Sequence, residues 1–381
     1  MNLEVIIPTI VGRESYLKWC IESCLNQTEV CSILVSNNGA GKAITELANS
    51  FNSPLIRVVE SKQLLPMSSH WEFALSHAKG DIVTIIGDDD ALMPNAIEKV
   101  KFLFKENNVE CITHVPAQYF WPDFILNGYE NKYVLSKQTT DITLRGSLEI
   151  LKKVVSYEAH YSNLPFLYHG FVKRDLLNRI ITDHGGIFNR ICPDIYSDFL
   201  LASSIDKYLH LNASLTVGGQ GAKSNGANCL LNTSIAESFF DNLPLTLQPK
   251  YCGNSVYLQI QEYVESIEKV SNIQEENSPN WIKFVLRVIL EAIRSGDNNT
   301  KKEIFQHLSF ISKQKFPSHI KIITKCLICI FKMSLISNCS KFLLNTLLKN
   351  RKINEDALKN FNANNVYDFS VAIYNSKLYI R

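Results

Sequence analysis

The sequence predicts an α/β fold, a mostly parallel sheet flanked by helices, followed by an α-helical C-terminal region. Three observations carry this. Strand-like and helix-like runs alternate through about the first 115 residues, the pattern of a sheet built with crossover helices. Three consecutive aspartates, Asp88, Asp89 and Asp90, follow the β-branched run over 82–86 and Gly87, where such a strand would end. From about residue 247 the spacing of apolar residues turns helical.

Taken in order, strands are expected over 4–10, 32–37, 55–61, 81–87 and 110–116, each rich in apolar and β-branched residues. Helices are expected between them over 15–26, 42–52, 69–78 and 95–106. The middle section is less regular. Residues 119–133 are aromatic without a clear period, 144–155 reads as a helix, and 166–172 reads as a strand leading into a helix from Arg174. An apolar helix over 192–205 opens with Pro193 and Asp194, residues that a helix N-terminus favours. A strand over 208–217 runs into four glycines within 218–226, where backbone can approach a ligand closely. Helical spacing follows over 257–270, 280–295, 301–313, 318–337 and 339–349, which divides the chain into domains 1–246 and 247–381.

With 381 residues, 46% of them hydrophobic and 20% charged, the chain can bury a substantial core. Net charge is only +2, but residues 301–352 hold eleven basic side chains against one acid, Glu303. A surface of one sign meets an anionic partner. The stretch 320–336 is apolar, yet Lys321, Lys325 and Lys332 interrupt it, which argues against a membrane span. The chain enters a strand at once after Met1, with no secretory pattern, so a cytoplasmic location is expected. Ten scattered cysteines fit reduced thiols, and the lone pair Cys326 and Cys329 lacks the further ligands of a zinc site.

In open parallel sheets, ligands bind beyond the carboxyl ends of the strands. Three such ends carry polar tips here: residues 9–13, 37–39 and the acid triplet. Three carboxylates at one strand end suit a hard divalent cation such as Mg²⁺ or Mn²⁺, with phosphate oxygens completing its shell. The competing reading is a solvated acidic turn, or a cap ahead of Pro94.

The series Val5-Ile6-Ile7-Pro8-Thr9, Ser23-Cys24-Leu25-Asn26-Gln27-Thr28, Val35-Ser36-Asn37-Asn38-Gly39, Ala78-Lys79-Gly80-Asp81 and Gly87-Asp88-Asp89-Asp90-Ala91-Leu92 resembles family 2 glycosyltransferases of the GT-A fold. The resemblance covers roughly residues 3–110, and 160–226 more loosely. It implies an inverting hexosyl- or N-acetylhexosaminyltransferase that uses a nucleoside diphosphate sugar, a UDP-sugar by preference, with Mn²⁺ or Mg²⁺. Pro8, Thr9, Arg13, Asn38, His70, Asp88, Asp89 and Lys223 would line the donor site, and Asp88 and Asp90 would hold the metal. Asn38 stands where the family often has aspartate, and His70 where it often has asparagine. His70 reads equally as a buried core histidine, Arg13 as a surface arginine, and the loop with Lys223 as a plain surface loop. The general base falls at Asp194, with Asp198 one turn further on the same face; either reads otherwise as a helix cap. His169, at another strand end, reads as an acceptor contact or a core histidine.

Members of this family that build lipopolysaccharide, capsule or exopolysaccharide use a glycan or polyprenyl-diphosphate-linked acceptor. The basic segment 301–352 would then bring the enzyme to the inner face of a bacterial inner membrane as a peripheral protein. A helical bundle or a dimer interface is the alternative for that segment, and nucleic acid is excluded because stacking aromatics are few. Two other classes compete for the whole chain. A sugar nucleotidyltransferase would need a glycine-rich basic loop after its first strand, where residues 8–13 supply one glycine and one arginine. A non-catalytic GT-A scaffold would bind no nucleotide sugar.

Overall fold

The computed structural model describes residues 1–39, 41–190, 192–226, 228, 280–294, 302, 305–306, 308–309, 312–313, 317–334, 359–360, 363–376 and 378. The expected helices over 257–270 and 339–349, part of that over 301–313, and about half of the basic segment lie outside these residues.

The first part alternates as expected: β1 (Leu3–Thr9), α1 (Glu14–Leu25), β2 (Ser32–Asn37), α2 (Lys42–Ser50), β3 (Ile56–Glu60), α3 (Met67–Ser76) and β4 (Ile82–Ile85). β5 (Ala91–Leu92), α4 (Ala96–Glu106), β6 (Cys111–His114), β7 (Ala117–Phe120), β8 (Lys132–Val134), β9 (Ile142–Gly146) and α5 (Ser147–Val155) follow. Then come β10 (Phe171–Lys173), α6 (Arg174–His184), α7 (Pro193–Ser204), β11 (Lys207–Leu211) and β12 (Thr216–Gln220). Beyond residue 246 the described elements are α8 (Trp281–Arg294), α9 (Ser318–Ser334), β13 (Lys359–Asn360) and α10 (Val366–Asn375).

Among the described residues, eight strands form the main sheet in the order β3-β2-β1-β4-β10-β6-β11-β9. β3, β2, β1 and β4 run parallel, as do β6 and β11, while β10 lies antiparallel between β4 and β6. Alternate residues of each strand face opposite sides. Leu3, Val5, Ile7, Ile33 and Val35 enter a core with α1, α2 and α4, whereas Ile6, Leu34, Val83 and Ile85 enter a second core with α3, α5, α6 and α7. Each fully buried aliphatic side chain stabilises by about 1.5–3 kcal/mol, so this two-sided burial explains why these strands read as continuous apolar runs.

A second sheet, β13-β8-β7-β12-β5, closes over one end. In it β5, directly after the acid triplet, pairs antiparallel with β12. The chain's far end completes this layer. Val366, Phe369 and Ile373 of α10 are buried in the same core as Tyr119 and Tyr133, and the Phe369 ring stacks on Tyr119 at 5.2 Å. Tyr119 also donates its hydroxyl to the Ala363 carbonyl at 2.8 Å.

Several segments differ from expectation. The stretch over 119–133 contributes to β7 and β8, and the helix expected from 144 starts at Ser147 because Ile142–Gly146 pairs with β11. The strand expected over 166–172 shortens to Phe171–Lys173, since a Cβ on Gly170 would lie 1.8 Å from the Phe166 carbonyl oxygen and the chain must fold back there. The single strand over 208–217 divides in two, with Ser214 between them bonded to Gln138 and Val115. Gly218 and Gly219 belong to β12 and not to a loop.

Candidate active site

The parallel register fixes where the site falls. β1, β2 and β4 end side by side, so Thr9, residues 37–39 and the acid triplet come to one edge of the sheet. Asp90 N–H donates to the Gly87 carbonyl at 3.2 Å, which folds the triplet into a tight turn. All three aspartates are buried there, against the reading of a solvated acidic turn.

Asp88 meets the end of β1. Thr9 Oγ1 donates to Asp88 Oδ2 at 2.6 Å, and Arg13 Nε lies 2.7 Å from both carboxylate oxygens. Arg13 Nη2 lies 2.5 Å from Asp88 Oδ1 and 3.3 Å from Asp89 Oδ1. Burial works against the guanidinium charge, but Asp88 and Asp89 outweigh it and hold Arg13 charged. Such a bidentate pair fixes orientation as well as charge, so Arg13 is not a solvated surface arginine.

Asp89 accepts from Ser224 Oγ and passes its backbone carbonyl to Trp121 Nε1 at 3.0 Å. The loop carrying Ser224 closes on the first strand end: Arg13 donates to the Lys223 carbonyl, and Lys223 Nζ to the Gly12 carbonyl. Lys223 itself is exposed. Asp90 is held by neutral donors: Gly219 N–H on Oδ1 at 2.8 Å, and Gly87 N–H at 2.6 Å and Tyr168 Oη at 2.7 Å on Oδ2. This approach requires glycine, because a Cβ on Gly219 would sit 1.8 Å from the Asp89 carbonyl oxygen.

One guanidinium therefore serves Asp88 and Asp89, and Asp90 lies buried beside them without it. Burial, and then the neighbouring carboxylates, push Asp89 and Asp90 up from the usual carboxylate range, while the donors around them pull the other way. This deficit of positive charge among oxygen donors fits a hard divalent cation. Among the described residues no group of three or more Asp, Glu, His or Cys side chains comes together to cage a metal. A cation here would bind through one or two carboxylates and the phosphates of a substrate, as Mg²⁺ commonly does.

Two of the expected donor contacts are occupied by the protein itself. The Asn38 amide donates to the Leu65 carbonyl at 2.8 Å and accepts from Leu65 N–H at 2.8 Å and from Ser61 Oγ at 3.3 Å. His70 is buried with Nε2 at 2.9 Å from Ser36 Oγ, and burial lowers it to about 4. Pro8 sits within β1, half-buried and in register with Ser36.

The first turn of α7 supplies the other acids. Pro193 opens the helix, Asp194 is half-buried beside it, and Asp198 is buried one turn on. Asp198 Oδ1 has no hydrogen-bond partner among the described residues. Burial pushes both carboxyls up, Asp198 much further, with the Asp194 charge adding to it. Tyr168, which bonds Asp90, feels the charges of Asp90, Asp89 and Asp194 after the effect of its own burial. One phenol thus lies within electrostatic reach of both acid groups. Sequence reasoning did not single out Tyr168, Trp121 or Ser224; no motif marks them, and only the fold brings them to the triplet.

Comparison with known proteins agrees with this geometry. Residues 4–158 match the profile of the family described as Glycosyl transferase family 2. Glycosyltransferase GlyG of Streptococcus pneumoniae serotype 4 (strain ATCC BAA-334 / TIGR4) is 23% identical over 181 residues, a match covering 42% of this chain and 60% of that protein. The chain thus spans less than two thirds of that relative. S. aureus TarS 1-349 superposes with a TM-score of 0.50 at 13% identity, covering 84% of this chain and 82% of that one. The same protein in complex with UDP-GlcNAc gives 0.50 at 12% identity, covering 84% and 83%. At such identities the likeness establishes the fold, and the match to the glycosyl transferase family 2 profile extends over residues 4–158.

Proposed function

We propose that the chain is a metal-dependent, inverting glycosyltransferase that moves a hexosyl or N-acetylhexosaminyl group from a UDP-sugar to a glycan or polyprenyl-diphosphate-linked acceptor of a bacterial surface polysaccharide. The observation that carries it is the buried acid triplet, met by Thr9 at the end of β1 and by Arg13 at the start of α1, with Tyr168 bonded to Asp90 and within electrostatic reach of Asp194. The family match and the UDP-GlcNAc complex of a protein with the same fold support the donor class.

Asp88 and Asp90 would hold Mn²⁺ or Mg²⁺, which when bound stabilises negative charge on a leaving diphosphate. Arg13 and Lys223 bring further positive charge from two loops to the same place. Asp194 accepts the proton of the acceptor hydroxyl as that oxygen attacks the anomeric carbon, while the bond from that carbon to the diphosphate oxygen breaks with its electron pair. Asp194 suits this role better than Asp198. Burial raises the Asp198 carboxyl well above the usual carboxylate range, whereas Asp194 is partly open to solvent and less raised.

The division 1–246 and 247–381 and the membrane role of 301–352 belong to the same proposal. Among the described residues no helix is long and apolar enough to cross a membrane. The nucleotidyltransferase and scaffold readings gain no observation of their own. The test is sugar transfer by purified Asp194→Asn and Asp198→Asn, read beside donor binding. Asp194→Asn is expected to keep donor binding and lose about 10²–10⁴-fold in turnover. Full activity in Asp194→Asn with a dead Asp198→Asn moves the base to Asp198, and transfer from no nucleotide sugar overturns the reading.

A further inference from the structure

The segment just before β10 is built around one carboxylate. Tyr168 Oη donates to Asp90 Oδ2 at 2.7 Å, and the next residue, His169, brings Nε2 to 3.4 Å from the same oxygen. His169 adopts φ +70°, in the left-handed region that a non-glycine residue enters only under strain. The surroundings hold it there. His169 N–H donates to the Ile85 carbonyl at 2.8 Å, and Ile85 N–H to the Leu167 carbonyl at 3.3 Å, so the segment is stitched to the end of β4.

The imidazole is fixed as well. Leu215 N–H donates to His114 Nδ1 at 3.3 Å, which leaves the His114 proton on Nε2, where it donates to the His169 carbonyl at 2.9 Å. Thr216 Oγ1 lies 2.8 Å from His169 Nδ1. The Tyr168 ring packs against Trp71, at 5.3 Å between centroids, and against His169, at 4.4 Å. A strained residue so over-determined by its neighbours marks a position where geometry matters.

The charge distribution shows what the geometry serves. Arg13 takes up the charge of Asp88, whereas Asp90 receives hydrogen bonds from a phenol and two backbone amides and, among the described residues, no salt bridge from Lys or Arg. Its orientation is fixed and its charge is left unspent. We infer that Tyr168 and His169 are a positioning pair that aims the Asp90 carboxylate at the cation of the donor complex. The inference rests on the metal-dependent donor site proposed above, and goes beyond it by assigning residues that touch neither sugar nor nucleotide.

Manganese binding to the full-length protein tests it, with free Mn²⁺ counted by electron paramagnetic resonance, alone and with UDP. Removing an outer partner of a metal ligand typically weakens affinity about 10–100-fold. Tyr168→Phe, which removes one hydroxyl and keeps the ring, is expected to weaken Mn²⁺ by at least about tenfold, with metal-free UDP binding unchanged. Thr216→Val, one bond further out, is expected to shift Mn²⁺ affinity in the same direction and by less. A purely structural role would lower the melting temperature of both variants and leave their Mn²⁺ affinity at the wild-type value; that result overturns the pair and leaves the donor-site reading standing. Wild-type protein that takes up no Mn²⁺, with or without UDP, overturns both.

Discussion

Asp88, Asp89 and Asp90 are chemically identical, and only their neighbours make them different. Asp88 is bound by a guanidinium and Thr9, Asp89 by Ser224, and Asp90 by backbone amides and a phenol. The sequence could place the triplet at a strand end but could not assign these partners, because Tyr168, Gly219 and Ser224 lie 78, 129 and 135 positions away from the aspartates they bond. Asn38 is legible in position and not in use, since its amide is spent on Leu65. The raised Asp89 and Asp90 carboxyls carry a consequence for pH. A carboxyl whose pKa is raised keeps its proton to higher pH, so a cation must displace that proton on binding. Mn²⁺ affinity is therefore expected to fall as pH drops from about 8 through neutrality, with protons released on binding. Calorimetry in two buffers of different ionisation enthalpy reads the release directly; binding without it would contradict the assignment.

At the scale of elements, legibility followed burial. β1, β2 and β4 are covered on both faces, read as unbroken apolar runs, and fall within about two residues of expectation. β9 is an edge strand whose Ile142 and Leu144 are exposed, so its apolar spacing merged with that of α5. β12 escaped for the opposite reason: glycine is rare in strands, but Gly219 has the Asp89 backbone pressed against it. α10 was not expected at all, and its Val366, Phe369 and Ile373 fill the core beneath β7 and β8. Phe369→Ala removes a fully buried ring that stacks on Tyr119, and is expected to cost about 3–5 kcal/mol in urea unfolding. A loss below about 1 kcal/mol would mean that this end of the chain adds little to the core.

Over the whole molecule, a two-sided sheet brings three strand ends to one edge, a second sheet seats β12 against the triplet, and the far end of the chain locks that second sheet in place. The first part of this plan was legible because local periodicity reports local burial. The closure by residues 363–376 was not, because it rests on contacts about 240 positions apart, such as Tyr119 with Ala363. The central claim is that this edge holds a nucleoside diphosphate sugar through a cation at Asp90. Calorimetric titration of UDP-, GDP- and dTDP-sugars into the wild type and Asp90→Asn, with and without Mn²⁺, tests it most directly. One of these donors, a UDP-sugar, is expected to bind the wild type with Mn²⁺ and to weaken at least about tenfold when Mn²⁺ is withheld or Asp90 is replaced. Equal binding by Asp90→Asn, or no binding of any donor by the wild type, would contradict it.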